Sequence, residues 1–147
     1  MSRKTIIIVT GDGGSFKPRL ITAAQRDRLK ANGSTPRETD HVPVVKLFDP
    51  CGAATGLITE MMPTDPDIMF GLCDLGMGYP ELGYVRLSEL EGIRGPLGIG
   101  IERDLRFKPS FPLSAYAEAA RAHGVITEDE EALKLAAARL HAERKGS

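Results

Sequence analysis

The chain has 147 residues, 41% of them apolar and 27% charged, which is enough to bury one core without disulfide or metal support. Aromatic residues make up only 5% and tryptophan is absent, so the core must be mainly aliphatic. Cys51 and Cys73 form no CxxC or Cys/His pattern, which argues against a disulfide framework and fits two free thiols in a reducing compartment. The apolar run after Lys4 is too short for a signal peptide, and no stretch approaches the ~20 apolar residues of a membrane span. We therefore expect a soluble, cytoplasmic protein.

The net charge of −1 is unevenly distributed along the chain. Residues 1–46 contain nine Lys or Arg and four Asp or Glu, whereas residues 47–92 contain one Arg and eight acids. Such asymmetry can steer a charged partner, although uneven solvated faces explain it equally well.

In the N-terminal half, β-branched residues predict a strand over Thr5–Thr10, which the glycine-rich turn of residues 11–15 ends. A helix follows, with Thr22 as N-cap, Gln25 completing a capping box and Gly33 at the C-terminal cap. Two closely spaced apolar runs, His41–Asp49 and Gly56–Met62, predict a β-hairpin.

In the second half, Pro63–Asp67 reads as a loop and Ile68–Leu75 and Leu82–Leu87 as two further strands. The pattern Ser88–Glu91 predicts a capping box that opens a short helical turn, and Gly98–Phe107 has room for a last strand.

Two helices complete the chain. Ser114–His123 is closed by Gly124, and Thr127 with Glu130 opens a final helix with acids in its first turn and bases in its last. Clustered short strands without βα alternation predict an α+β fold: a small, mainly antiparallel sheet with an N-terminal helix and two C-terminal helices packed against it. We divide the chain into an N-terminal extension (1–17), a core domain (18–126) and a C-terminal helix (127–147).

The strand followed by Gly11-Asp12-Gly13-Gly14 invites comparison with phosphate-binding loops. However, Lys17 is followed by Pro18, and position 16 is Phe, so neither the P-loop nor the dinucleotide pattern is complete. A plain turn explains this segment.

Three carboxylates form the best metal hypothesis. In a strand, Glu102 and Asp104 would face the same side, and Asp74 could converge with them on a divalent cation. An ion-pair network with Arg94 and Arg106 is the simpler explanation. No nucleophile elbow or Ser/His or Cys/His motif is present, so the sequence leans away from an enzyme, and no cofactor is expected.

Nucleic-acid binding is a further alternative. Arg26 and Lys30 are four residues apart and share a helix face that could meet phosphates, but little aromatic interleaving supports base stacking. The acidic middle could instead mimic nucleic-acid charge.

One series of residues resembles a known family. The series ELGY, LSELE, RGPLG, IERD and FKP between Glu81 and Pro109, with LITAAQRDRLKANG and VPVVKLFDPCGAATGLITE before it and PLSAYAEAARAHG after it, is similar to the domain-of-unknown-function family numbered 2958. The similarity covers about Leu20 to Ile126. It implies a setting on bacterial plasmids, integrative elements or phages but no established activity, although some members carry a single-stranded DNA endonuclease label.

These observations lead to two functional hypotheses. The first is a non-catalytic accessory protein of a mobile element that binds a protein partner, for example as an inhibitor of a restriction or CRISPR complex. The residues expected to contact that partner are Asp74, Tyr79, Glu81, Tyr84 and Arg94. The alternative is a metal-dependent single-stranded DNA nuclease or a nucleic-acid-binding protein.

Overall fold

The computed structural model describes residues 19–146 and the backbones of two short N-terminal strands, Ile8–Val9 (β1) and Ser15–Phe16 (β2). β1 and β2 pair antiparallel, with Ile8 opposite Phe16. The rest of the predicted strand Thr5–Thr10 and the turn at residues 11–14 lie outside the described residues.

The main sheet has five strands: β3 (Val45–Phe48), β4 (Thr55–Met62), β5 (Asp65–Asp74), β6 (Glu81–Arg86) and β7 (Glu102–Arg103). Their order across the sheet is β6-β5-β4-β3-β7, and every neighbouring pair is antiparallel. Three successive hairpins connect β3 to β6, and the last strand returns to pair with β3.

Helices cover both faces of this sheet. They are α1 (Ala23–Gly33), α2 (Leu87–Gly92), α3 (Leu113–His123) and α4 (Glu130–Gly146), with one 3₁₀ turn at Pro96–Gly98. The predicted α+β fold is therefore confirmed. Within the described part of the chain, no helix is both long and apolar enough to cross a membrane.

Side-chain alternation in the strands assigns each helix pair to one face. Ile58, Met61 and Met69 are buried in one cluster with residues of α1 and α2, and we call this side the α1–α2 face. Leu57 and Leu72 are buried in a second cluster with residues of α3 and α4, on the α3–α4 face. The protein thus has three layers, with the sheet in the middle.

The ends of α1 show why this helix lies where it does. The predicted capping box is present, since the Thr22 hydroxyl accepts from the Gln25 amide at 3.1 Å and the Gln25 side chain accepts from the Thr22 amide at 3.0 Å. Gly33 is the last helical residue, and a Cβ there would lie 1.8 Å from the carbonyl oxygen of Met61. Gly33 is therefore needed for close contact with β4 and does not act as the predicted cap.

The contact of α1 with β4 occurs at an irregularity of the strand. Thr59 is inserted between the paired residues Ile58–Gly71 and Glu60–Phe70, which makes a β-bulge. The Asn32 amide donates to the Thr59 carbonyl at 2.9 Å, so the end of α1 is fixed to the bulge.

The last strand expected within Gly98–Phe107 is present as the two-residue β7. Two local predictions were wrong. β5 begins at Asp65, inside the expected loop. Ser88 is not an N-cap, because α2 begins at Leu87 and both the amide and the hydroxyl of Ser88 donate to Asp67, at 2.9 and 2.7 Å. The cap of α2 is thus supplied by a neighbouring strand.

A similar long-range cap fixes α3. The Ser114 amide donates to Asp40 at 3.0 Å, the Ser114 hydroxyl also bonds to Asp40, and α3 ends as predicted at Gly124 in a left-handed conformation. The first turn of α4 is held by Asp129, whose carboxylate accepts from the Ala132 amide at 2.9 Å. Helix α4 packs into the α3–α4 cluster through Leu133 and Ala136.

Candidate protein-binding surface

The three carboxylates of the metal hypothesis do not converge. Strand pairing places Asp74 opposite Thr55, Thr55 opposite Phe48 and Phe48 opposite Glu102, so Asp74 and Glu102 lie on one row across the sheet. Three strand spacings of ~4.8 Å separate them by roughly 14 Å. Because ligands of one cation lie within ~2.6 Å of it, Asp74 cannot share a cation with Glu102, and this prediction is corrected.

Asp74 instead joins two loops at the end of β5. Its residue is 4% exposed, and its two carboxylate oxygens accept from the amides of Gly76 at 2.8 Å and Ile126 at 3.1 Å. Both oxygens therefore satisfy backbone donors of the β5–β6 loop and the α3–α4 connection. This burial removes Asp74 from any contact surface.

Asp104 belongs to an ion-pair network on the α3–α4 face. Lys46 lies 3.5 Å from Asp104 and also pairs with Glu128, and the Asp104 side chain is 8% exposed. Asp104 further accepts from the Arg106 amide at 2.9 Å. Among the described residues, no group of three or more His, Cys, Asp or Glu side chains is placed to hold a metal ion.

Arg94 is bound to the backbone of its own loop. Its guanidinium donates to the carbonyls of Glu91 at 3.0 Å and Ile93 at 2.6 Å, at the C-terminal end of α2. The partners of Arg94 among these bonds are therefore backbone carbonyls, which hold the bend that follows α2. Arg103 acts similarly, donating to the carbonyls of Arg19 and Leu20 at 3.1 and 2.7 Å.

The other three predicted contact residues are exposed, but Glu81 and Tyr84 lie on opposite faces of β6, since Glu81 pairs with Cys73 and Tyr84 with Phe70. Tyr79 is in the β5–β6 loop and is 80% exposed, and Glu81 and Tyr84 are on β6, where Tyr84 is 55% exposed. Sequence reasoning missed two apolar neighbours, Met77 and Leu82, which are 72% and 49% exposed. We call Met77, Tyr79, Leu82 and Tyr84 together the edge surface.

The position of β6 explains why these apolar side chains stay uncovered. Leu82 and Tyr84 pair with Leu72 and Phe70 of β5 and so point to the α3–α4 face. Helices α3 and α4 pack on the inner strands, whereas Tyr84 on β6 packs against Phe70, with ring centroids 5.1 Å apart. The alternation of apolar residues in the sequence of β6 places Leu82 and Tyr84 on one face of the strand. It does not show which face of the sheet a helix covers, so the exposure of Leu82 could not be predicted.

The backbone of β6 is open on one side. Within the described part of the chain, β5 is the only strand paired with β6, which is therefore an edge of the sheet. An edge strand presents unpaired N–H and C=O groups that can pair with another extended segment. Leu82 and Tyr84 of the edge surface lie on the same six-residue strand as this open backbone.

One end of β6 is fixed by an electrostatic cluster. Arg86 lies 3.3 Å from Asp65 and 3.5 Å from Asp67, and these carboxylates raise the pKa of Arg86. Hydrogen bonds from the Ser88 hydroxyl and amide hold the pKa of Asp67 below its ordinary value. This cluster positions the start of α2 and so the end of the edge surface.

A polar groove of about 260 Å³ adjoins the edge surface on the α3–α4 face. Leu82 and Phe70 form one side of it, and His41, Glu60 and Arg144 contribute polar groups. His41 bonds through Nε2 to the Thr35 hydroxyl at 2.8 Å. The groove extends the edge surface with charged groups of both signs.

The nucleic-acid alternative rests on α1. Arg26 is half-buried and Lys30 is exposed, one helical turn apart, on the helix that covers the opposite face of the sheet from the groove. The placement of Arg26 and Lys30 does not test nucleic-acid binding, which stays a prediction.

Comparison with known proteins gives one match. No curated protein and no solved structure matches the chain. The family model described as "Protein of unknown function (DUF2958)" matches residues 20–127, which run from the turn before α1 to the connection before α4. Since this match covers well over half of the chain, the protein belongs to the DUF2958 family.

Proposed function

We propose that this protein is a non-catalytic accessory protein of a mobile genetic element that binds a protein partner through the edge surface. The observation that carries the proposal is the group of four large apolar side chains, Met77, Tyr79, Leu82 and Tyr84, exposed beside an open sheet edge. Contiguous exposed apolar residues are unusual on a protein that acts alone, and Tyr and Met are enriched at interfaces.

The chemistry of the surface specifies the kind of partner. An open edge strand accepts an extended segment by main-chain pairing, and its side chains then select the apolar residues of that segment. Glu81 is exposed at the start of β6, within the part of the chain that has eight acids and one Arg. The partner segment we propose is therefore extended, apolar and basic.

An inhibitor of a host defence complex is one form of this proposal. The mobile-element setting implied by the family resemblance motivates it, and many such complexes have basic surfaces that bind nucleic acid. A strand edge with Leu82 and Tyr84 on one face and Glu81 on the other would compete for such a surface by pairing with one of its extended segments.

The test compares capture by three tagged proteins from host lysate: wild type, the double variant Leu82→Ser with Tyr84→Ser, and the control Leu135→Ser. Leu135 is 58% exposed on α4, so its replacement removes an equally exposed apolar side chain elsewhere. We expect one protein to be retained by wild type and control in moderate salt and lost with the double variant, and its purified form to bind with the same pattern in calorimetry. If the double variant captures the same proteins as the wild type, the edge surface is not the binding site.

A further inference from the structure

One exposed leucine is held in an unusual backbone conformation. Leu97 is 94% exposed and has φ of 63°, and it is the only residue other than glycine with positive φ in the described part of the chain. This conformation brings Cβ close to the following carbonyl in an L-residue, so leucine is disfavoured there. Strain of this kind persists where surrounding structure enforces it, and it concentrates at functional positions.

The loop that carries Leu97 is pinned at its base. The Gly95 amide donates to the Ile99 carbonyl at 2.8 Å, and the Gly98 amide donates to the Gly95 carbonyl at 3.1 Å. The Arg94 guanidinium, bound to two carbonyls at the end of α2, anchors the first residue of the loop. The Leu97 side chain is thus presented to solvent in a fixed position, as a protruding apolar group.

A small apolar cavity of about 80 Å³ lies on the α1–α2 face, at the end of the sheet where β5 finishes. Residues of β3, β4 and β5 line it, including Leu47, Ile58 and Cys73, together with Leu90 and Ile101. One water needs only ~10–15 Å³, so there is room for the end of an aliphatic side chain.

The protrusion and the cavity are joined through the chain. Leu90 precedes the Leu97 loop and Ile101 follows it, and both line the cavity, so the segment that carries Leu97 leaves the cavity wall and returns to it. Leu97 itself does not line the cavity of its own chain. Leu75, which does line it, is also largely exposed. A protruding side chain beside a matching recess is the self-complementary arrangement that a two-fold interface requires.

We propose that two copies of this chain associate about a two-fold axis, with Leu97 of each copy inserted into the apolar cavity of the other. Reciprocal insertion buries both leucines and closes both cavities, and it explains why a strained backbone is kept at a fully exposed position. This contact uses the α1–α2 face, whereas Leu82 and Tyr84 of the edge surface lie on the α3–α4 face.

The test is sedimentation of the full-length protein over a range of concentrations, with Leu97→Gly as the variant. Glycine adopts positive φ freely, so this change keeps the loop conformation while it removes the side chain. We expect a concentration-dependent dimer for the wild type and, because two buried leucines are lost per dimer, a dissociation constant at least about 100-fold higher for Leu97→Gly. Leu135→Ser, an exposed apolar residue on α4, should leave the dimer unchanged.

A second measurement reports on the cavity itself. In a Cys51→Ser background, Cys73 is the only thiol; burial raises its pKa, so its alkylation by iodoacetamide is expected to be slow. We expect the alkylation rate of Cys73 to fall further as protein concentration rises, and to become independent of concentration in Leu97→Gly. Three results would each overturn the proposal: a wild-type monomer at every concentration, a dimer unaffected by Leu97→Gly, or a Cys73 rate that ignores concentration in the wild type.

Discussion

We expect Asp74→Ala to lower the free energy of unfolding, because Asp74 has a structural role and belongs to no proposed binding surface. Asp74 is almost fully buried, and its two oxygens are the acceptors for the Gly76 and Ile126 amides at 2.8 and 3.1 Å. A buried amide left without an acceptor costs about 1–3 kcal/mol, so losing two acceptors costs roughly 2–6 kcal/mol. For a domain whose total stability is about 5–15 kcal/mol, this is a large fraction.

Asparagine at the same position separates hydrogen bonding from shape. Asp74→Asn keeps one carbonyl oxygen but turns an NH₂ group toward the second amide, so we expect a loss of about 1–3 kcal/mol, smaller than that of alanine. Urea unfolding followed by far-ultraviolet circular dichroism is the suitable assay, because the chain has no tryptophan. Glu81→Gln, at an exposed carboxylate on β6, is the matched control and should shift stability by no more than ~0.5 kcal/mol.

We expect the loss of unfolding free energy to be largest for Asp74→Ala, smaller for Asp74→Asn and smallest for the control Glu81→Gln. If Asp74→Ala unfolds within ~0.5 kcal/mol of the wild type, the two amides are satisfied in some other way and the structural role assigned to Asp74 is refuted.

Three further outcomes follow from single contacts. Asp67→Asn should make the stability of the protein depend less on pH in the acid range. The bonds from Ser88 lower the pKa of Asp67 in the folded state, so the carboxylate stabilises the fold above the ordinary carboxyl pKa of ~3.9. This stabilisation is lost as pH falls through the folded pKa. Thermal melts between about pH 6 and pH 2 should therefore show wild type and variant converging at the acid end, and parallel curves would contradict this. Gly33→Ala should lower stability by about 1–3 kcal/mol or more, since its Cβ would overlap the Met61 carbonyl oxygen, and an unchanged urea midpoint would show that α1 shifts freely. Leu97→Gly should raise stability by roughly 0.5–1 kcal/mol, because relief of ~1–2 kcal/mol of strain exceeds the entropy cost of glycine; a lower melting temperature at dilute concentration would argue against strain.

Local features of the fold could be predicted from the sequence. The capping box of α1 depends on residues three apart, and the end of α3 depends on one glycine, so both follow from a short stretch of chain. The β3–β4 hairpin follows from two apolar runs separated by a short turn.

Features that depend on distant residues could not be predicted. The sequence around Ser88 has the pattern of a local helix cap, but the Ser88 amide donates to Asp67 on β5. In the same way, the Ser114 amide donates to the distant residue Asp40. Which face each helix covers is also decided only in three dimensions, and this choice leaves Leu82 exposed.

The candidate site was predicted in part for the same reason. Tyr79, Glu81 and Tyr84 are exposed, as the hypothesis requires, in the β5–β6 loop and on β6. Asp74 lies only a few residues earlier, yet the end of its strand turns the carboxylate into the core. Alternation along a strand gives the two faces but not which of them is buried.

The strand order has a consequence for how the protein is made. Strands β3 to β6 can pair one after another as they leave the ribosome, because each pairs with its immediate predecessor. The outer edge of β3 has to wait for β7, since Leu47 pairs with Arg103, and the Leu113 amide and Glu128 bond back to His41 and Lys46 later still. Contacts that close such long loops form slowly, and unpaired strand edges invite aggregation in the meantime. During synthesis β3 is therefore an open edge of the nascent sheet, and it is covered by β7 only when the C-terminal third is complete.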